Sequence, residues 1–173
     1  MKLIYKSLII LSLFFINSTS LKAETYYLDF KLILNQSDAG KKANQALKSQ
    51  LDQGFKKLKD REKQLQKEEK EIIQQKKLLS PEEYKSKISS LRKKVSALQK
   101  DRNSIMENVS KKRSKARKKL LETLNPIVKD YMNEKSIKIV LDKKSILLAD
   151  ENLDITKDIL GLLNKKLKSI NLE

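Results

Sequence analysis

The chain is predicted to fold as α+β, mostly helical, with a long antiparallel helical hairpin inserted into a small β body. Three observations lead there. Apolar residues recur in steps of seven, or of alternating threes and fours, through the middle of the chain. A helix start, "SPEEY", sits inside that periodic run. Short segments of alternating apolar character lie near both ends. A sheet built from the two ends makes everything between them an insertion.

The elements follow in order. Lys2 and Lys6 precede the apolar block "SLIILSLFFI", and "NSTSLKA" follows it. This order reads as a secretory signal peptide over residues 1–23, with Ala23 last before cleavage and a cut after Ser20 as the alternative. The block is too short to span a bilayer, which takes ~20 apolar residues. "TYYLDFKLIL" reads as a strand over residues 25–30 running into a turn or short helix. In "NQSDAGKK", Asn35, Ser37 and Asp38 are candidate helix caps.

From about Ala39 to Leu79 one helix is expected. Leu51, Leu58, Leu65, Ile72 and Leu79 mark its apolar stripe, widened by Leu47 and Phe55. Gly54, Arg61, Glu68 and Gln75 hold the other seam position, so the packing is read as loose. Ser80, Pro81 and Glu83 then supply a cap, a first-turn proline and a capping box, which places the arm tip at residues 79–82. The second helix is expected over residues 81–134, with a kink at Pro126. Pairing outward from the tip sets Gly40 opposite about Leu121. Residues 136–142 (Ile137, Ile139, Leu141) and 145–149 (Ile146, Leu148) read as two strands. A closing helix follows, with Asp154 as cap and Ile155, Ile159, Leu162, Leu163 and Leu167 on its buried side.

The arm thus covers residues 39–119, and the body residues 24–38 and 120–173. So small a sheet leaves apolar edges, which are normally paired or covered. Self-association through the body is therefore expected, with Tyr26, Leu28, Phe30, Ile137, Ile139, Leu141, Ile146 and Leu148 as its oligomerisation residues.

Charge and missing residue types bound the function. The formal charge is +17, and removing residues 1–23 takes away three lysines and no acids, leaving +14. Residues 76–119 hold 16 basic and 4 acidic residues, whereas residues 120–173 hold 9 of each. Such asymmetry concerns partners and encounter rates. The candidate contacts with a client or an anionic surface are Arg92, Lys93, Lys94, Lys111, Lys112, Arg113, Lys115, Arg117, Lys118 and Lys119. No cysteine or histidine occurs, so a disulfide framework, a thiolate site and the commonest general base are excluded. No catalytic residue, cofactor or metal is expected. The two rival readings are a basic coiled coil that binds nucleic acid and an exported envelope scaffold. The nine aromatic residues are not interleaved with the basic run, so no specific nucleic-acid partner is expected.

The entry "AGKK" and the segment "KIVLDKKSILLADENLDITKDIL", in this order around long charged helices, resemble the periplasmic chaperone family Skp, also called OmpH. The resemblance spans essentially the whole chain after residue 23. It implies a jellyfish-like homotrimer, in which the strands share a barrel-like body and the helical hairpins project as tentacles around a cavity. It further implies periplasmic, ATP-independent binding of unfolded outer-membrane β-barrel proteins, and binding of anionic lipid or lipopolysaccharide. It brings no catalytic residues. The family's basic lipopolysaccharide pattern does not align with this chain, and no such site is assigned.

Overall fold

A computed structural model of the chain describes residues 25–172; the expected signal peptide lies outside the described residues. The order is β1 (Thr25–Leu28), α1 (Phe30–Gln36), α2 (Asp38–Gln75), α3 (Pro81–Glu134), β2 (Ile139–Asp142), two short 3-10 turns, and α4 (Thr156–Lys166). Helices α2 and α3 pack as an antiparallel hairpin, and the remaining elements gather at its open end. The mostly helical α+β fold is as expected.

Local chemistry explains most boundaries. Asp29 caps α1 by accepting from the Leu32 amide at 2.7 Å. Of the three candidate caps before α2, Ser37 takes the role: its hydroxyl accepts from the Gly40 amide at 3.1 Å, in a fully buried position. Gly40 has to be a glycine, because a Cβ there would stand 1.9 Å from the Leu34 carbonyl oxygen. Helix α2 ends at Gln75, four residues short of the expected Leu79, and residues 76–79 form a turn. Ser80 and Glu83 close the expected capping box. The Glu83 amide donates to the Ser80 hydroxyl at 3.3 Å, and the Ser80 amide donates to the Glu83 carboxylate at 2.9 Å. The Ser80 backbone bond, with its hydroxyl, holds the Glu83 carboxyl below the usual range. Helix α3 runs from Pro81 to Glu134 with Pro126 inside it. It ends where Ser136 takes a φ of 55° and the Ile137 amide donates back to the Met132 carbonyl at 2.8 Å.

Strands β1 and β2 pair in parallel, Thr25 with Ile139 through Leu28 with Asp142. Parallel strands need a crossover connection, and here the whole arm is that connection. The core beneath them joins Leu28, Ile33, Ala39, Leu120, Leu124, Ile127, Ile155, Ile159 and Leu163. Tyr26, Phe30, Val140, Leu167 and others pack against it. Each fully buried leucine or isoleucine contributes roughly 2 kcal/mol by transfer from water. Bonds that span the chain brace this core. The Asp29 amide donates to the Thr156 hydroxyl at 2.9 Å, and the Asp38 amide donates to the Asn164 side-chain oxygen at 2.8 Å.

Four expectations for the C-terminal segment are corrected. The strand expected over 145–149 is absent. Asp142 and Asp150 instead accept from the Lys144 and Asn152 amides at 3.2 and 2.9 Å and open two 3-10 turns. Such side-chain to backbone bonds compete with a strand ladder. Where a third strand would pair, Asp154 makes a single parallel bridge to Tyr27. Ile137 lies before the strand rather than in it, and is buried. The N-cap of α4 is Ile155 rather than Asp154, although the Asp154 carboxylate accepts from the Thr156 amide at 2.9 Å. Ile155, Ile159 and Leu163 are buried at four-residue spacing; Leu162 falls off that stripe and is exposed.

Candidate functional site

The arm is held by one line of apolar contacts. Leu47, Leu58 and Ile72 of α2 and Leu91, Val109 and Ala116 of α3 are buried along it. The seam positions that looked poor in the sequence are answered from across the hairpin. Arg61 pairs with Asp101, the Lys94 ammonium bonds both carboxylate oxygens of Glu68 at 2.7 and 2.9 Å, and the Lys87 ammonium reaches the Gln75 side-chain oxygen at 3.5 Å. Each step of seven up α2 is met by a step of seven down α3, as antiparallel helices with a shared repeat require. The pairing was legible in principle, because Lys87, Lys94 and Asp101 carry the complementary spacing. At Gly54 the missing side chain admits Ile105, which would stand 3.0 Å from a Cβ.

These contacts are exposed and individually weak, of order 0–1 kcal/mol each. They set register more than they add stability.

The basic residues separate into groups. Lys94 serves the seam; Lys111 bonds Glu107 at 2.6 Å and Lys118 lies 3.9 Å from Glu122, both one helical turn away. The Lys111 side-chain bond, reinforced by its charge, holds the Glu107 carboxyl below its usual range. Lys112 is half-buried, and Lys115 stands with Lys118 and Lys119 beside the chain's C-terminal residues Ser169, Ile170 and Asn171. Arg92, Lys93, Arg113, Arg117 and Lys119 are exposed and make no ion pair among the described residues. The arm tip itself is mixed, with Leu78 85 % exposed and Lys76 over the Tyr84 ring at 5.6 Å.

The body carries a second feature, an exposed apolar set that lies partly on β2 and partly in the 145–149 segment expected as a strand. Leu147 and Leu148 are fully or almost fully exposed, and Ile139 and Leu141 of β2 are exposed beside the chain's own core. Of the expected oligomerisation residues, Leu28 and Ile137 are buried in the single chain, and Tyr26, Phe30 and Ile146 are half-buried. Ile139, Leu141 and Leu148 point outward, joined by Leu147. Lys143 sits nearby, over the Tyr27 ring at 5.6 Å and bonded to Asp154 at 3.1 Å. The Asp154 bond and charge raise its pKa. Burial pushes the Asp154 carboxyl up, but hydrogen bonds from Thr156, with the Lys143 bond and charge, outweigh it and hold that pKa below the usual value.

Among the described residues no cluster of acidic side chains could hold a metal ion, and no helix is long and apolar enough to cross a membrane. No curated protein matches the chain. A solved structure does: a candidate outer membrane chaperone (OmpH-like) from Caulobacter crescentus CB15 shares the fold with a TM-score of 0.79. The two are 20 % identical, over 85 % of this chain and 87 % of that one. The family model for the outer membrane protein (OmpH-like) group matches residues 24–163, which takes in the whole arm, the first half of the body and the second as far as Leu163. The chain therefore belongs to the OmpH-like family.

Proposed function

We propose that this protein is a chaperone of the periplasm: an ATP-independent holdase that keeps unfolded outer-membrane β-barrel proteins from aggregating, between arms that project from a homotrimeric body. Family membership supports the chaperone role. The observation that carries the assembly is the outward apolar set on the body. Leu147 and Leu148 lie almost wholly open and Ile139 and Leu141 about half open in the single chain, and β2 pairs with no strand but β1 among the described residues. Copies of the same chain, arranged with closed rotational symmetry, would bury them.

The arm supports the holding role. Its helices share one narrow apolar line and a few exposed ion pairs, so little free energy holds an arm in one position. Arms so weakly tied adapt to clients of different size. The positive excess on α3 raises encounter rates with anionic clients, and with anionic lipid or lipopolysaccharide, in a manner that salt screens. Residues 1–23 act as the export signal in this reading. Release of the client requires an acceptor downstream, not a chemical step.

Two measurements test this. Light scattering of the exported chain, residues 24–173, is expected to give three chains, and Leu147→Glu with Leu148→Glu is expected to shift it toward one. A wild-type monomer would remove the shared body. Diluting a urea-unfolded outer-membrane β-barrel into the protein without nucleotide is expected to suppress aggregation, less so at high salt. Equal binding of a folded soluble control would remove the holdase reading.

A further inference from the structure

Helix α3 sorts its cations by type. At roughly 100° per residue, Arg92, Arg102, Arg113 and Arg117 fall within an arc of about 80°. These are all the arginines of that helix, and every lysine from Lys87 to Lys119 lies outside the arc. Val95 and Met106 lie inside it, each 51 % exposed. The arc runs on the opposite flank of the seam from Lys87, Lys94 and Asp101, so one edge of the arm is closed by cross-pairs and the other carries guanidinium and aliphatic groups. Arg92 and Val95 line a groove with Leu65, Ile88 and the α2 carboxylates Glu62 and Glu69, neither of which pairs with Arg92, and Arg113 and Arg117 line another nearer the body.

No arginine on this edge makes an ion pair among the described residues. One already shows what such a group does when an aromatic ring is in reach: the Arg102 guanidinium lies over the Phe55 ring at 5.9 Å. Guanidinium is weakly hydrated, stacks on aromatic faces and grips carboxylates with two parallel bonds, none of which an ammonium does as well. A charged face needed only for solubility has no reason to segregate the two.

We infer that this edge, Arg92, Val95, Arg102, Met106, Arg113 and Arg117, is the strip on which an extended unfolded polypeptide docks through its aromatic and carboxylate side chains. This rests on the holdase reading and deepens it. The lysines of the block serve long-range attraction; the arginines make the contact. Four guanidiniums, none in an ion pair among the described residues and only Arg102 already on a ring, complement acidic side chains along an extended segment, and Val95 and Met106 supply apolar contact between them.

The test keeps the charge and changes the group. In the exported chain, Arg92→Lys, Arg102→Lys, Arg113→Lys and Arg117→Lys are combined, and affinity for an unfolded outer-membrane β-barrel is titrated beside wild type. A loss of roughly tenfold or more is expected, because several stacking contacts weaken together. Lys100→Arg with Lys129→Arg, two exposed lysines of α3 outside the arc and outside the candidate contacts, is expected to change nothing. Val95→Gln with Met106→Gln carries the same test should the fourfold variant lose helicity, and is expected to weaken binding several-fold. Unchanged affinity with an active wild type overturns the strip and leaves the holdase standing; an inactive wild type overturns the holdase, and the strip with it. Loss of binding to vesicles of anionic phospholipid with client affinity intact gives the strip to a membrane surface and overturns the proposal.

Discussion

Charge separates the arm from the body, with 36 charged residues among the 81 of 39–119 against 22 among the 69 of 24–38 and 120–173, and the two are held in opposite ways. In the body, Leu28, Ile33, Leu124, Ile159 and Leu163 have no exposed surface, and bonds such as Asp29 to Thr156 join residues from the two ends of the sequence. In the arm most side chains face water, and the seam alternates leucines with ion pairs that are about half exposed. A core surrounded on all sides resists displacement, because each residue is packed by several elements at once. A two-helix seam has only one partner for each residue, and it yields. A chain can thus carry a firm seat and compliant arms by giving the seat its apolar residues and the arms its charges.

Three measurements sharpen that contrast. The largest effect is expected in the body. Leu124→Ala should cost about 3–4 kcal/mol in denaturant unfolding, against about 1–2 for Leu58→Ala at the arm seam, where neighbours can close in. Equal losses would break the contrast.

A smaller effect is expected at the joint between α3 and α4. The Tyr131 hydroxyl donates to the Asp158 carboxylate at 2.6 Å. Burial, then this bond and the Asp158 charge, raise the tyrosine pKa to about 12. The folded pKa lies above the unfolded one, so the contribution is complete below about pH 10 and is lost as pH rises toward 12. Tyr131→Phe should lower stability by about 1 kcal/mol near neutral pH and flatten the alkaline limb of the stability profile. An unchanged limb in the variant would show that the bond does not hold α4.

The smallest effect is expected in the seam. Replacing Glu68 and Lys94 together by leucine should leave stability within about 1 kcal/mol of wild type or raise it. The single change Glu68→Lys, which sets like charges opposite each other, should loosen the distal arm, read as faster amide exchange beyond Leu65. A large loss in the double variant would mean that ion pairs, and not the apolar line, carry the arm.

Legibility followed the same division. Ser80, Pro81 and Glu83 announced the tip because a capping box is satisfied by residues three apart, and the folded chain closes that box. The seven-residue repeat gave the arm, and the early aromatic strand and the Ile155–Ile159–Leu163 stripe were also readable. The strand expected at 145–149 failed for a local reason: aspartate caps took the backbone into turns before any ladder formed. The seam pairs were missed because α2 was judged alone, and Arg61 or Glu68 has meaning only beside Asp101 or Lys94. The basic block was read as one feature because counting charge ignores which side of the helix carries it.

Short-range chemistry in the primary structure was enough to set where helices start and where the chain turns back, since caps, prolines and periodicity act within a few residues. The parallel match of Thr25 with Ile139, the glycine demanded at position 40 and the outward aim of Leu147 and Leu148 came only with the folded chain. Each depends on atoms brought together from remote parts of the sequence, and close packing, not local preference, chooses among the arrangements the residues allow.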